Sequence, residues 1–148
     1  FAGEDIHEDW FPVSMLGTGA YAELNEYIVH TLNLAAEYCL NNIVRLPPEY
    51  RVILNYYLVY IPVVTGDWDY TVDTRGAACT EDKDTHTGQQ TANALATVND
   101  IITCLDISTA FANYTKGDFV GVKVTCDALN ATTDIHILGI RLRGIKSK

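Results

Sequence analysis

The run Arg51 to Val64 (RVILNYYLVYIPVV) is dense in Val, Ile and Tyr and stops at Thr65-Gly66-Asp67, the pattern of a strand covered on both faces. After that stop, Trp68, Tyr70 and Val72 alternate with Asp67, Asp69, Thr71 and Asp73, so a strand with one apolar and one wet face is predicted. The two read as a hairpin. Phe119 to Cys126 places Val120, Val122, Val124 and Cys126 on one face and Lys123 and Thr125 on the other. From Thr133 to Ile145, His136, Leu138, Ile140 and Leu142 share a face opposite Ile137, Gly139, Arg141 and Arg143. Ile101, Ile102, Cys104, Leu105 and Ile107 form one more strand.

The first third is mixed. Tyr21, Leu24, Ile28, Leu32, Ala35 and Cys39 recur at roughly helical spacing, which suggests a short helix. Gly17-Thr18-Gly19, Pro47-Pro48 and the alternation within Tyr38 to Leu46 read instead as strand punctuation and a strand. Thr80 to Thr91 (TEDKDTHTGQQT) has no apolar residue and is expected to cross the surface as a long loop. Seven to eight short strands without alternating helices predict an all-β, antiparallel, jelly-roll-like β-sandwich. Residues 1–46 are read as an N-terminal arm with the first strands, and 47–148 as the sandwich core, within one domain.

Composition supports a packed fold: 48% of the 148 residues are hydrophobic and 20% charged. The longest apolar stretch, Leu58 to Val64, is too short to cross a bilayer and is broken by Pro62, so no membrane partner is expected. A net charge of −9 opposes phosphate backbones and argues against nucleic acid. The sequence starts at Phe1 rather than Met, as a processed product would. Cys39, Cys79, Cys104 and Cys126 lack any C-x-x-C spacing and read as buried free thiols. Asn113-Tyr-Thr and Asn130-Ala-Thr match the glycosylation sequon.

No nucleophile elbow, zinc-protease motif or phosphate-cradling loop is present, so no catalytic, cofactor-binding or metal-binding residues are assigned and no enzyme activity is expected. The nearest approach to a cation site is Glu81 to His86, where Asp82, Asp84 and His86 alternate; it lacks the Gly and distal Glu of an EF-hand and reads as a solvated loop. His136, on an apolar strand, is expected to be a hydrogen-bonded core or interface histidine. Trp10, Trp68 and the nine tyrosines suit core and subunit contacts or, with Asp67, Asp69 and Asp73 beside Trp68 and Tyr70, a sugar platform.

Several segments taken together carry a resemblance. They are Pro47 to Tyr50 entering a core strand, Asp84 to Thr87 (DTHT), and Cys104-Leu-Asp-Ile-Ser. Lys116-Gly-Asp-Phe-Val-Gly-Val-Lys-Val and the closing Asp134-Ile-His-Ile-Leu-Gly-Ile-Arg-Leu-Arg complete the set. From Pro47 onward the chain resembles β-sandwich structural proteins of phage and uncultured-virus particles, such as capsid decorations, head fibres and tail components. The resemblance implies a non-catalytic virion protein, located in the virus particle, whose partners are itself and other virion proteins in a trimer or larger lattice. The alternative reading is a secreted or cell-surface carbohydrate-binding module. Glu4, Asp5, Glu8 and Asp9 at the start oppose Arg141, Arg143, Lys146 and Lys148 at the end, and on the first reading these arms would orient neighbouring subunits.

Overall fold

The computed structural model describes residues 5–13, 17–43, 45–129 and 134–146. Among these, the alternations become ten strands: β1 (Ile6–Pro12), β2 (Ala20–Leu24), β3 (Tyr27–Leu32), β4 (Glu37–Ile43), β5 (Tyr50–Pro62), β6 (Gly66–Ala77), β7 (His86–Thr97), β8 (Thr103–Asp106), β9 (Phe119–Leu129) and β10 (Ile135–Lys146). A 3₁₀ turn, Ser108–Phe111, lies between β8 and β9. No helix among the described residues is long and apolar enough to cross a membrane.

The strands form two antiparallel sheets, and the chain is an all-β sandwich. The first sheet runs β2-β3-β10-β5-β8. Along one edge of β10, β3 pairs with Ile135–Ile137 and β1 takes over from Gly139 to Ile145. The second sheet runs β4-β9-β6-β7. Between the sheets lie Leu58, Tyr60, Ile135, Ile137, Ile140 and Leu142 from one side and Ile43, Trp68, Tyr70, Val72, Val120, Val122, Val124 and Cys126 from the other, all buried. Burying a large apolar side chain is worth about 1.5–3 kcal/mol, so this layer supplies most of the drive to fold.

Tertiary packing overturns several local expectations. The β5–β6 hairpin does not form: Thr65-Gly66-Asp67 carries the chain from one sheet to the other, and β5 pairs with β10 and β8 while β6 pairs with β7 and β9. Each strand has an apolar face, and the chain buries more surface by stacking those faces than by laying the strands side by side. Tyr60 and Trp68 accordingly meet across the interior with ring centroids 5.3 Å apart, edge on.

The helix suggested in the first third is replaced by β2, β3 and β4. Asn25 (φ 51°) and Ala36 (φ 70°) adopt the left-handed conformation that turns a chain tightly, and a helix cannot run through them. Burial does not follow the helical stripe: Leu32 and Cys39 are buried, but Ile28 is 60% exposed and Val29, off the stripe, is completely buried.

The expected long loop from Thr80 shortens, because His86 to Thr91 belong to β7. The inward positions of this segment, His86, Gly88 and Gln90, are small or polar, and at Gly88 the reason is steric. A Cβ on Gly88 would come within 2.0 Å of the Ala110 carbonyl oxygen, so β7 packs directly against the 3₁₀ turn there. Gln90 reaches inward instead to the Tyr70 hydroxyl (3.0 Å) and the Asp106 carbonyl (2.8 Å), tying the two sheets together. Ile101 and Ile102 precede β8 and stay exposed, while Ile107 just beyond it is buried.

On β10 a bulge between Ile137 and Gly139 flips the alternation. Ile135 and Ile137 therefore share the core with Ile140 and Leu142, and His136 is not on their face as expected. The acidic and basic arms also meet within one chain: Arg141 Nη2 lies 2.5 Å and Arg143 Nε 3.3 Å from Glu8 Oε1. Asp9 accepts a 2.6 Å hydrogen bond from the Tyr50 hydroxyl. These pairs join the chain's own ends. Glu4, Lys148 and the Asn130 sequon lie outside the described residues.

Candidate functional site

The outer face of the second sheet carries the polar halves of its alternating strands, in register. One row across the sheet is Tyr38, Thr125, Thr71 and Thr91; the next is Leu40, Lys123, Asp73 and Gln89; the third is Asn42, Gly121, Arg75 and Thr87. The inward partners of these rows, such as Val122, Val124 and Val72, are core residues, and that packing holds the outer side chains on a rigid support.

Gly121 opens this face. With no side chain between Asn42 and Arg75, the sheet surface there becomes the floor of a cavity of about 760 Å³, lined by residues of β4, β9, β6 and β7. A second hollow of about 480 Å³ shares Asn42, Arg75 and Gly121 with it and runs toward Glu81 and Lys83, so the two form one groove.

The polar groups of the face are ordered by one another. Gln89 Nε2 donates to Asp73 Oδ1 at 2.8 Å, and Thr71 Oγ1 donates to Asp127 Oδ2 at 2.6 Å. Lys123 stands directly opposite Asp73 in register yet turns its ammonium over the Tyr38 ring, 4.5 Å from the centroid. Arg75, with 69% of its side chain exposed, reaches one oxygen of Asp84 at 3.5 Å. Such a surface offers amide, guanidinium, ammonium, hydroxyl and carboxylate groups to a ligand.

The alternating Asp82, Asp84 and His86 do not converge. Asp82 Oδ1 accepts the Asp84 backbone N–H (3.0 Å), and the Asp82 carbonyl accepts the Thr85 hydroxyl (2.7 Å). Asp84 pairs with Lys83 at 2.6 Å, and that hydrogen bond holds its carboxyl below the usual range. His86 Nε2 lies 3.5 Å from Glu81 Oε2, which also accepts the Ala78 N–H at 2.9 Å. Among the described residues no three His, Cys, Asp or Glu side chains come together as metal donors.

Of the two readings of Trp68 and Tyr70, the structure gives the core: both rings are buried, 0% and 2% exposed, and the alternative of a sugar platform there is not available. Of the aspartates beside them, Asp69 accepts the Ala94 N–H at 2.6 Å and only Asp73 lines the cavity. Trp10 is 48% exposed on β1, in the other sheet. His136 is buried, with Nδ1 2.9 Å from the Thr31 hydroxyl, and burial lowers its pKa. It is the hydrogen-bonded histidine expected. All four cysteines are free thiols, but Cys79 and Cys104 are exposed where burial was expected.

Sequence reading did not single out Asn42, Arg75, Gln89, Lys123 or Gly121 as a group. Each lies on the polar side of an alternating strand, so the signal was present one strand at a time. The order of strands in the sheet is what joins them.

No family model matches the chain, and no curated protein matches it. Among solved structures, it is similar to the CBM36-1 domain of a multidomain xylanase from the hindgut metagenome of Trinervitermes trinervoides. The identity is 14% over 92% of this chain and 96% of that one, with a TM-score of 0.53. It also matches a carbohydrate-binding module CBM36 in complex with calcium and xylotriose (9% identity, 92% and 98% coverage, TM-score 0.42). A further match is the enzymatically active domain of bacteriophage CBA120 tailspike protein 4 (9%, 97% and 19%, TM-score 0.40). The first of these likenesses shows the β-sandwich fold.

Proposed function

We propose that this chain is an extracellular carbohydrate-binding β-sandwich module that holds a glycan in the groove across β4, β9, β6 and β7. The observation that carries the proposal is the groove itself, a cavity of about 760 Å³ floored by Gly121 and edged by Asn42, Asp73, Arg75, Gln89 and Lys123 on rigid strands. Sugar hydroxyls need many directed donors and acceptors, and side chains at fixed strand spacing supply them without a large ordering cost. The fold likeness to a module of a multidomain xylanase supports the class.

Binding without catalysis is part of the proposal. Glycoside hydrolysis ordinarily needs two carboxyl groups flanking one bond. Asp73 is the one carboxylate lining the larger cavity among the described residues, where Gln89 holds it, and Glu81 in the adjoining hollow accepts the Ala78 N–H and faces His86.

Affinity electrophoresis against a panel of soluble glycans tests the proposal, with Gly121→Tyr as the blocking variant. A Cβ at Gly121 meets nothing closer than 3.8 Å, so the ring can fill the groove without disturbing the fold. Retarded migration of the wild type, abolished in Gly121→Tyr at unchanged melting temperature, is expected. Migration unaffected by every glycan tested would overturn the reading.

A second reading, a self-assembling virion component, is favoured by one edge of the fold. β7 is a 12-residue edge strand (HTGQQTANALAT) without Lys, Arg, Asp, Glu or Pro, the residues that normally keep sheet edges from pairing. The turn after it exposes Val98, Ile101 and Ile102. Edge-to-edge pairing of two copies would join their second sheets. Asn93 and Ala96 are both exposed on this strand. Asn93→Lys with Ala96→Lys would charge that edge, and sedimentation analysis should then show a dimer or larger assembly reduced to monomer. A wild type that stays monomeric at high concentration sinks this reading.

A further inference from the structure

The groove differs from most of the molecule in two respects. Its larger cavity is lined by Arg75 and Lys123 against Asp73 alone, an excess of positive charge in a chain whose net charge is −9. Asp73 is moreover engaged by the Gln89 amide. Among the described residues no aromatic ring lines that cavity: its residues are aliphatic, amide, hydroxyl, charged or glycine. Tyr38, a ring on the same face, is covered by the Lys123 ammonium. Neutral sugars are gripped largely by stacking their apolar faces on exposed rings; the larger cavity provides none, and the ring of the groove is Phe119, 40% exposed, in the adjoining hollow.

We infer that the groove, if it holds a glycan as proposed above, selects chains bearing negative charge, carboxylate or sulfate, with the charged group set between Arg75 and Lys123. The two cations stand on neighbouring strands, β6 and β9, one row apart: Arg75 lies directly opposite the bare backbone at Gly121, and Lys123, two residues along β9, rests its ammonium over the Tyr38 ring. An anionic substituent seated on Gly121 meets the Arg75 guanidinium fork, and the Lys123 ammonium reaches it by swinging off the Tyr38 ring. The acidic loop does not neutralise this pair. Asp84 gives one oxygen to Arg75 at 3.5 Å and the other to Lys83 at 2.6 Å, so Arg75 retains donors for a ligand. Asp69 and Asp127 lie toward the other end of the face, where the Ala94 N–H and the Thr71 hydroxyl occupy them. The ligand's charge is therefore assigned to the Arg75 guanidinium, whose contact with Asp84 is a single 3.5 Å approach.

The inference is tested by isothermal titration of the intact chain with three polymers: a polyuronate, a sulfated glycosaminoglycan and an uncharged xylan or glucan. Binding to one or both charged polymers and not to the neutral one is expected, and the two charged arms tell carboxylate from sulfate. Raising salt from low to near-molar should weaken binding on the order of tenfold or more, because exposed charges are screened. Arg75→Met and Lys123→Met should each weaken it by about tenfold, the loss of one charge-assisted contact, while Lys123→Arg retains it. Both Met variants keep the aliphatic stem, and an unchanged circular dichroism spectrum confirms the fold. Equal or tighter binding of the neutral polymer, blocked by Gly121→Tyr, would overturn the charge inference and leave the carbohydrate reading standing. Failure to bind any of the three overturns both.

Discussion

Glu8 and Arg141 join the two ends of the chain: the guanidinium Nη2 of Arg141 on β10 lies 2.5 Å from Glu8 Oε1 on β1, and Arg143 adds a contact to the same oxygen at 3.3 Å. The hydrogen bond from Arg141 holds the Glu8 carboxyl below its ordinary value of 4.5. A carboxylate with a depressed folded pKa adds stability above its unfolded pKa and loses it as pH falls through the folded one. With Glu8 46% and Arg141 33% exposed, solvent screening limits the contribution to about 0–1 kcal/mol. Glu8→Gln should lower the melting temperature slightly at neutral pH, and the difference should vanish in acid below the ordinary carboxylate range. A difference that persists there would assign the effect to packing.

Val122 is 2% exposed on the inner face of β9, between the row neighbours Asn41 and Thr74. Val122→Asp buries a charge with no counter-ion, a loss of about 3–5 kcal/mol against a domain stability of about 5–15 kcal/mol. Little or no soluble, cooperatively melting protein is expected. The charge-neutral Val122→Ala should remain folded with a lowered melting temperature, which separates burial of charge from loss of volume.

The thiols divide by burial. Burial pushes the Cys39 thiol up to about 12 and Cys126 up to about 11, whereas Cys79 and Cys104 are exposed. The thiolate is the reactive form, so a disulfide reagent at neutral pH should label Cys79 and Cys104 in the native protein and reach Cys39 and Cys126 only after unfolding. Rapid labelling of all four under native conditions would mean that the sandwich opens on the timescale of the reaction.

In the loop from Glu81 to His86, the acidic groups are occupied by backbone N–H groups, Lys83 and Arg75. Chelation should therefore leave the melting temperature unchanged, as should Asp84→Ala, whose partners return to solvent. A clear drop on chelation would indicate a structural cation in this loop.

The sequence by itself determined the class of the fold. Val120, Val122, Val124 and Cys126 alternate strictly, and a period of two permits only a strand with that face buried; the structure buries all four. The core character of Leu58 to Ile61 was equally legible. Tertiary structure decided which strands meet. Thr65-Gly66-Asp67 marks a turn in either topology, and the packing of one sheet face on the other, as where Tyr60 meets Trp68 edge on, distinguishes a crossover from a hairpin. The bulge after Ile137 likewise has no local marker strong enough to show that His136 leaves the face of Ile140. The groove was the least legible feature. Asn42, Gly121, Arg75 and Gln89 come from four strands far apart in the chain, and a polar outward position looks the same in sequence whether it borders a ligand or water. Their convergence depends on strand order and register, long-range backbone pairings that no local pattern of side chains encodes.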